Sequence, residues 1–224
     1  MLLGLISGSI SFWHNVVLLV SFVVGILIAL ILHEVAHAWT AYKCGDPSAK
    51  IAGRITLNPI KHLDLLGTLC ILFAPIGWAK PVPVNPFNYR NFRKGNFYVS
   101  IAGVTVNFIL AIVFSLCFFF IDKYVGWAAA TENLGLFLLY NLFFFAMIIN
   151  ICLMLFNLLP IYPLDGYNML VSFTKPTNRY MQFMRQYSMP VFLIVICILM
   201  FTGVMGTIVY GIRDGLLWFW GLIF

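Results

Sequence analysis

Long apolar runs separated by short polar segments dominate the sequence. Their lengths predict four membrane-crossing helices, at about residues 16–43, 97–121, 134–159 and 189–210. The first helix is expected to end at the turn formed by Gly45, Asp46 and Pro47, because Gly favours a helix C-cap and Pro cannot continue the helix. Residues 216–224 are apolar but too short to cross, so we expect them to lie at the membrane interface or to fold back against the bundle.

One apolar segment, residues 65–79, does not fit a crossing helix. It is short and is interrupted by Pro75. Eight basic residues lie between positions 43 and 94, four before this segment and four after it. Because basic residues collect on one side of a membrane, we predict that the segment is re-entrant and that both basic groups face the cytoplasm.

In residues 49–58, apolar or small residues at the odd positions, Ile55 among them, alternate with mostly polar residues at the even positions. This period of two predicts a strand, and the prolines of residues 81–85 keep that second segment extended. The pattern as a whole therefore predicts an all-α polytopic membrane protein. It has about four transmembrane helices, a re-entrant segment and a small β element.

Composition supports a membrane location. The chain of 224 residues is 62% hydrophobic and 9% charged, with a mean hydropathy of +0.99, whereas soluble proteins are about 25% charged. The net charge of +6 resides in the loops, and no basic patch interleaved with aromatic residues is present, which excludes nucleic acid as a partner. We interpret residues 1–224 as one multi-pass domain of the cell membrane, with a core at about 16–170 and C-terminal helices at 189–224.

The first predicted helix contains three polar side chains within an apolar run: His33, Glu34 and His37. Histidines four positions apart lie on one helical face and can hold one Zn²⁺, and the adjacent carboxylate is placed to activate a water molecule. Interhelical hydrogen bonding is the alternative. A charged side chain at bilayer depth costs at least about 2.5 kcal/mol, which favours a functional metal site.

A catalytic zinc site has three protein ligands and one open position. The charge pattern leaves three candidates for the third ligand on the side of the histidines: His62, Asp64 and Asp165. We favour Asp165, because Pro160 and Pro163 break the third helix just before it, and broken helices at membrane depth line cavities or pack on protein. His62 is the reserve ligand, and an ordinary helix-ending turn is the alternative for Asp165.

Amides in the second and third helices are candidates for substrate contact. Asn157 is nearest the proposed site, and we expect it to orient a substrate carbonyl. For Asn107 and Asn150, interhelical hydrogen bonding is an equal alternative. His33 lies ten residues before Lys43, about 15 Å from the helix end, so the site is sunk in the bilayer nearer its cytoplasmic side.

Three motifs in this order resemble the site-2 protease family of intramembrane zinc metalloproteases. They are H-E-x-x-H at 33–37, A-G-x-x-x-N at 102–107 and N-x-x-P-x-x-x-L-D-G at 157–166. The stretches "GRITLNPIKHLDLLG" and "GWAKPVPVN" are also similar to family segments. The resemblance covers roughly residues 25–170. It departs from the family at Val104, where Pro commonly follows the Gly.

The resemblance implies a three-helix catalytic core in which His33, His37 and Asp165 bind one Zn²⁺ per chain and Glu34 activates water. Substrates would be transmembrane segments of other proteins within the lipid bilayer. The PDZ and CBS domains of some members are not expected in this chain. The oligomeric state stays open.

A substrate helix must unwind before cleavage, because its carbonyl groups are held in internal hydrogen bonds. We expect the unwound segment to bind by strand addition along residues 50–58, with Ile55 in contact.

A prenyl-protein protease would use a later Glu as third ligand, and Glu132, the only other Glu, falls on the opposite side. A di-iron oxygenase needs more than four histidines. A non-proteolytic metal-binding protein or metal transporter stays as the alternative.

Overall fold

A computed structural model of the chain describes residues 11–64, 67, 80–175 and 177–224. These ranges contain eight α-helices joined by short loops and turns, and no residue within them forms a β-strand. In chain order the helices are α1 (Phe12–Cys44), α2 (Ser48–Ile51), α3 (Phe92–Tyr124), α4 (Gly126–Glu132), α5 (Leu134–Asn157), α6 (Asp165–Phe173), α7 (Arg179–Thr202) and α8 (Val204–Ile223).

Four helices in the described ranges, α1, α3, α5 and α7, are long and apolar enough to cross a membrane. Polar residues define their ends. The side chains of Asn91, Asn133 and Asn178 cap α3, α5 and α7 by accepting backbone N–H groups. Gly45 ends α1 with φ 115°, as predicted. The first three predicted spans are therefore confirmed to within a few residues.

The helices α1, α3 and α5 pack against one another and form the centre of the bundle. Small residues allow close approach: a Cβ built on Gly25 of α1 would lie 3.2 Å from the backbone nitrogen of Ala146 in α5. Further along, buried residues of α3, α5 and α8 form an apolar cluster of Ala111, Phe118, Met147, Ile151 and Val209. These contacts fix the relative positions of the helices that carry the polar side chains.

The predicted fourth span at 189–210 is wrong at its end. Helix α7 has a kink at Tyr187, where φ is −118° and ψ is 19°, so its second part begins close to the predicted start. It ends at Thr202 rather than at 210, because Gly203 adopts a left-handed φ of 68° and starts a new helix. Residues 216–223 belong to α8, which folds back on the bundle: Trp220 Nε1 donates to Ser115 Oγ at 2.9 Å. Of the two placements expected for this segment, the structure shows the one in which it folds back against the bundle.

The predicted β element at 49–58 is also wrong. Pro47 and Ser48 begin α2, and Ile51 and Ala52 donate their N–H groups to the carbonyls of Pro47 and Ser48. Gly53 then turns the chain with φ 63°. The alternation has another cause, since Ala49 is buried against Ala38 of α1 and Val82. The re-entrant segment predicted at 65–79 lies outside the described residues except for Gly67.

Candidate active site

The two histidines of α1 turn their Nε2 atoms towards each other. His33 Nε2 and His37 Nε2 are 3.0 Å apart, a distance that two side chains one helical turn apart can reach. His33 Nδ1 lies 2.6 Å from Asn107 Oδ1, and His37 Nδ1 lies 2.7 Å from the carbonyl oxygen of Val99. Both partners are acceptors, so each Nδ1 carries the proton and each Nε2 presents a lone pair.

Asp165 completes this cluster from the other side of the bundle. It is the first residue of α6, after the non-helical stretch that contains Pro160 and Pro163. Its Oδ2 atom lies 3.3 Å from His33 Nε2 and 3.2 Å from His37 Nε2. The structure therefore brings together the three side chains that the sequence predicted.

Packing around α6 holds Asp165 at this position. Asn96 of α3 is buried and donates to the Asn168 carbonyl at 2.6 Å and to Ser172 Oγ at 2.9 Å. A Cβ on Gly166 would lie 2.5 Å from the Leu159 carbonyl oxygen, so only Gly lets α6 begin this close to the end of α5. The carboxylate is thus positioned by contacts to two helices rather than by the local turn alone.

The donor set fits a zinc ion. Asp165 Oδ2 is buried and accepts no hydrogen bond within the described structure, although buried polar atoms are rarely left unsatisfied. Two imidazole lone pairs face this same oxygen, and one ligand atom from each residue lies within 4.8 Å of the others. Two imidazoles and one carboxylate form a three-ligand set typical of catalytic zinc sites. A divalent cation compensates all three acceptors at once.

Gly103 of α3 allows the imidazoles to approach this helix. A Cβ at this position would lie 2.6 Å from both His33 Nδ1 and His37 Nε2, well inside van der Waals contact. The A-G-x-x-x-N motif therefore has two roles in the geometry. Its Gly leaves space for the rings, and its Asn accepts the hydrogen bond of one of them.

A chain of amides links His33 to the third core helix. Asn107 Nδ2 donates to Asn150 Oδ1 at 2.9 Å, and Asn150 Nδ2 donates to the Ala146 carbonyl at 2.7 Å. Both amides are fully buried. The sequence left hydrogen bonding between helices and a functional role equally open for these two residues. The structure shows hydrogen bonds between the helices that extend to the imidazole.

Glu34 is held by a segment that lines the site. This segment, to which we refer as the strap, comprises residues 80–88 and ends in a short 3-10 helix at Pro86–Asn88. The backbone N–H of Val82 donates to Glu34 Oε2 at 3.1 Å. Arg54 donates to the carbonyls of Lys80 and Pro81, and Lys80 donates its N–H to the His62 carbonyl at 2.8 Å.

The other end of the strap is fixed by Asp46. Its carboxylate accepts the N–H of Asn85 at 2.6 Å, the amide of Asn88 at 2.8 Å and the hydroxyl of Ser48 at 2.6 Å. Burial raises the pKa of Asp46, but these hydrogen bonds outweigh that effect and hold the pKa below its ordinary value of 3.8. A buried, ionised Asp46 therefore ties the strap to the end of α1.

A cavity of about 320 Å³ opens beside His33, His37, Asp165 and Glu34. The strap lines one side of it, and residues of α3, the end of α5 and the start of α6 line the rest. Asn157 is part of this lining, and its Nδ2 donates to the Leu153 carbonyl of its own helix at 3.0 Å. Its contact with substrate stays a prediction.

Two residues named from the sequence lie elsewhere. His62 is buried, and its Nε2 lies 2.7 Å from the Thr56 carbonyl, so it is not part of the three-residue cluster. Ile55 packs beside Ala38, Ala49 and Val82 and lines a different depression from the one that contains His33. The strand on which its substrate role was based is absent, and that role stays a prediction.

Sequence reasoning missed the residues that act through backbone or packing. Val82 contributes an N–H group, which no side chain reveals, and Asp46 and Asn96 act across loops and helices distant in sequence. A signal was present for Asp46, because an acid between Gly45 and Pro47 is a good acceptor for a turn. Its bonds to Asn85 and Asn88 depend on the tertiary fold.

Comparison with known proteins agrees with the site. Peptidase family M50 matches residues 124–201, which include Asp165. YwhC of Bacillus subtilis (strain 168), a candidate zinc metalloprotease, is 39% identical over 204 residues, which cover 90% of this chain and 91% of YwhC. Rip2 of Mycolicibacterium smegmatis, another candidate zinc metalloprotease, is 30% identical over 183 residues, 79% of this chain and 65% of Rip2. No solved structure shows significant similarity to the chain.

An alignment with YwhC that leaves out only a tenth of the chain spans both parts of the site, the helix of the histidines and the helix of Asp165. The family match, the near-complete alignment and the apolar helices all agree with the cluster of two histidines and one aspartate. The chain therefore belongs to peptidase family M50, the site-2 protease family, and is a zinc metallopeptidase with several membrane-spanning helices.

Proposed function

We propose that this metallopeptidase cleaves peptide bonds within or near the transmembrane segments of other membrane proteins. His33, His37 and Asp165 hold the zinc ion, and Glu34 is the general base. One observation carries the proposal: two Nε2 lone pairs and an unsatisfied carboxylate oxygen converge within 3.3 Å inside a bundle of apolar helices. Ionisable side chains are costly to bury inside a membrane. Metal binding accounts for the burial of these three side chains, whereas no structural role does.

When bound, Zn²⁺ acts as a Lewis acid that makes water a nucleophile near neutral pH. The protein side chains do the rest. Val82 fixes one carboxylate oxygen of Glu34, which leaves the other free to accept a proton from the attacking water. Glu34 then delivers this proton to the leaving amine. The hydrogen bonds at the two Nδ1 atoms keep the imidazoles in the tautomer that binds metal.

The substrate must reach this site as an extended chain. A helix is about 10 Å wide with its side chains, and its carbonyl groups are already hydrogen-bonded. A cavity of about 320 Å³ suits a short unwound segment. The strap, which lines the cavity, supplies extended backbone beside Glu34, and we place the unwound segment along it.

We further propose that the protein resides in the cell membrane with its site nearer the cytoplasmic side. The basic loops support this orientation, since residues 43–94 carry eight Lys and Arg and only Asp46 and Asp64 as acids. These loops adjoin the strap and the end of α1 that follows the histidines. His14 lies at the opposite end of the bundle, where its Nε2 contacts the Thr131 carbonyl at 2.9 Å.

Zinc content tests the ligand set. We expect one zinc per purified wild-type chain, loss of zinc in Asp165→Ala and retention in the matched histidine variant His62→Ala. Thermal unfolding of each variant in detergent checks that it is folded. Zinc lost only from His62→Ala would overturn the third ligand. A wild-type protein without metal would overturn the proposal, because a proton shared among the same three side chains would then account for their geometry.

The variant Glu34→Gln separates catalysis from metal binding. We expect it to retain zinc and to abolish cleavage, because an amide cannot accept the proton of water. New protein termini in the membrane fraction of cells that produce wild type, compared with Glu34→Gln, measure the activity. Termini confined to soluble loops would contradict cleavage in transmembrane segments. Zinc flux in proteoliposomes that survives Glu34→Gln would instead support a transporter.

A further inference from the structure

The end of α1 carries a group of cationic and aromatic side chains that the proposed peptidase does not use. We refer to it as the cationic cluster: Trp39, Tyr42, Lys43, Lys50 and Arg90. These side chains line two adjoining surface depressions of about 330 and 370 Å³, which share Tyr42 and Lys43. Both open outside the cavity that contains the histidines. The cluster is therefore separate from the site described above.

Aromatic rings hold the two lysines of this cluster in place. Lys50 Nζ donates to Tyr42 Oη at 2.9 Å and lies 4.4 Å from the centre of the Tyr42 ring. Lys43 Nζ lies 5.3 Å from the centre of the Trp39 ring, one helical turn earlier. Cation–π contacts of this kind restrict flexible side chains before a ligand arrives, which lowers the entropy cost of binding.

The positive charge of the cluster is not neutralised by acids. Among the residues that the structure describes, no carboxylate forms an ion pair with Lys43, Lys50 or Arg90. Asp46 is near in sequence, but it is buried and its oxygens accept hydrogen bonds from the strap and from Ser48. The carboxyl end of α1 contributes about half a negative charge and the ionised Asp46 contributes one more, and the three cations exceed this sum.

The position of the cluster on a spanning helix indicates the ligand. Trp39 is 53% exposed and Tyr42 is 38% exposed, both in the last turns of α1. Exposed Trp and Tyr at the end of a spanning helix mark the level of the lipid headgroups. Arg90 approaches the same helix end, where its N–H donates to the Cys44 carbonyl at 2.9 Å. Three cations that form no ion pair with a carboxylate of the described residues therefore lie at the level of the lipid headgroups.

We propose that the cationic cluster binds the phosphate group of one anionic phospholipid at the membrane interface. Lys43, Lys50 and Arg90 provide the charge, and Trp39 contacts the glycerol and upper acyl region. A bound lipid ties down the end of the helix that carries His33 and His37.

Native mass spectrometry of the full chain in detergent tests this proposal. Dioleoyl phosphatidylglycerol and dioleoyl phosphatidylcholine are titrated in parallel against wild type and two triple variants. The site variant replaces Lys43, Lys50 and Arg90 by Gln. The control variant makes the same charge change at exposed positions outside the cluster, Lys61, Arg93 and Lys94. Zinc content and thermal unfolding verify that both variants are folded.

We expect one phosphatidylglycerol to bind wild type in preference to phosphatidylcholine. Each cation near an anionic group contributes about fivefold in affinity, so the site variant should bind about a hundredfold more weakly. The control variant should change by less than about twofold, since it leaves all three contacts in place. Equal losses in the two triple variants, or no preference for the anionic lipid, would overturn the proposal.

Two further arms identify the source of the phosphate. An excess of inorganic phosphate should leave most of the lipid bound, because it cannot contact Trp39 as a lipid does. Complete displacement by inorganic phosphate would show a site for a soluble anion and would overturn the lipid assignment. Trp39→Ala should weaken lipid binding severalfold, and an unchanged affinity in this variant would contradict the placement of the lipid.

Discussion

Replacing Gly103 by Ala tests the geometry of the metal site with one added methyl group. The new Cβ would lie 2.6 Å from His33 Nδ1 and from His37 Nε2. Ordinary non-bonded contacts begin at about 3.5 Å, so the rings must retreat by about 1 Å. They are already held by hydrogen bonds of 2.6 and 2.7 Å at their Nδ1 atoms, which a 1 Å movement would stretch beyond hydrogen-bonding distance.

The expected cost of this overpacking is about 1–3 kcal/mol. Zinc requires Nε2 atoms at about 2.0–2.1 Å, with a tolerance of about 0.2 Å, so the cost falls mainly on metal affinity. We therefore expect Gly103→Ala to weaken zinc binding by about 5- to 150-fold. Competition with a chromophoric chelator, on protein purified in detergent, measures this affinity.

Gly211→Ala is the matched control. Gly211 lies in α8, and a Cβ at this position meets no heavy atom within 4 Å. The same substitution there should leave zinc affinity unchanged and stabilise the helix by up to about 1 kcal/mol. Wild-type zinc affinity and stability in Gly103→Ala would refute the close contact between α3 and the two imidazoles, and with it the role assigned to the Gly of the motif.

Two further perturbations test the residues that position the site. Asn107→Leu removes the acceptor of His33 Nδ1 and should lower zinc affinity by about 10- to 100-fold, whereas Asn107→Asp keeps an acceptor and should restore most of it; equal losses in both variants would contradict a positioning role. Asp46→Asn removes an acceptor from the strap and should destabilise the protein by about 1–3 kcal/mol at pH 7. Because the folded-state pKa of Asp46 lies below 3.8, its contribution is present above that value and is lost as pH falls through the folded pKa. The difference in thermal unfolding between wild type and Asp46→Asn should therefore shrink at low pH, and a gap that is constant down to about pH 3 would show that ionisation of Asp46 does not matter.

The sequence predicted the local features of this protein well. Apolar runs predicted three of the four long helices, because a segment in lipid must satisfy the hydrogen bonds of its own backbone and does so as a helix. The four-residue spacing of His33 and His37 placed both side chains on one helical face, which is also a local effect. The fourth span was misplaced because Gly203 stops α7, and one glycine in an apolar run gives little signal about which conformation it adopts.

The alternating pattern at 49–58 misled the prediction, since alternation suggests a strand only where a second strand is present to pair with it. Here Pro47 and Ser48 start a helical turn, Gly53 reverses it, and Arg54 reaches the strap instead of a neighbouring strand. Burial of Ala49 between Ala38 and Val82 comes from the fold and not from strand pairing.

What the sequence determined by itself is the membrane helices, the paired imidazoles with their adjacent carboxylate, and a short list of candidates for the third ligand. Only the tertiary structure decided that Asp165 rather than His62 faces Nε2 of both histidines, that Asn107 sets the tautomer of His33 and that Val82 holds Glu34. The physical reason is the range of the interactions. Helix periodicity acts over a few residues, whereas these contacts join positions 48 to 132 residues apart and exist only after α1, α3 and α6 have packed.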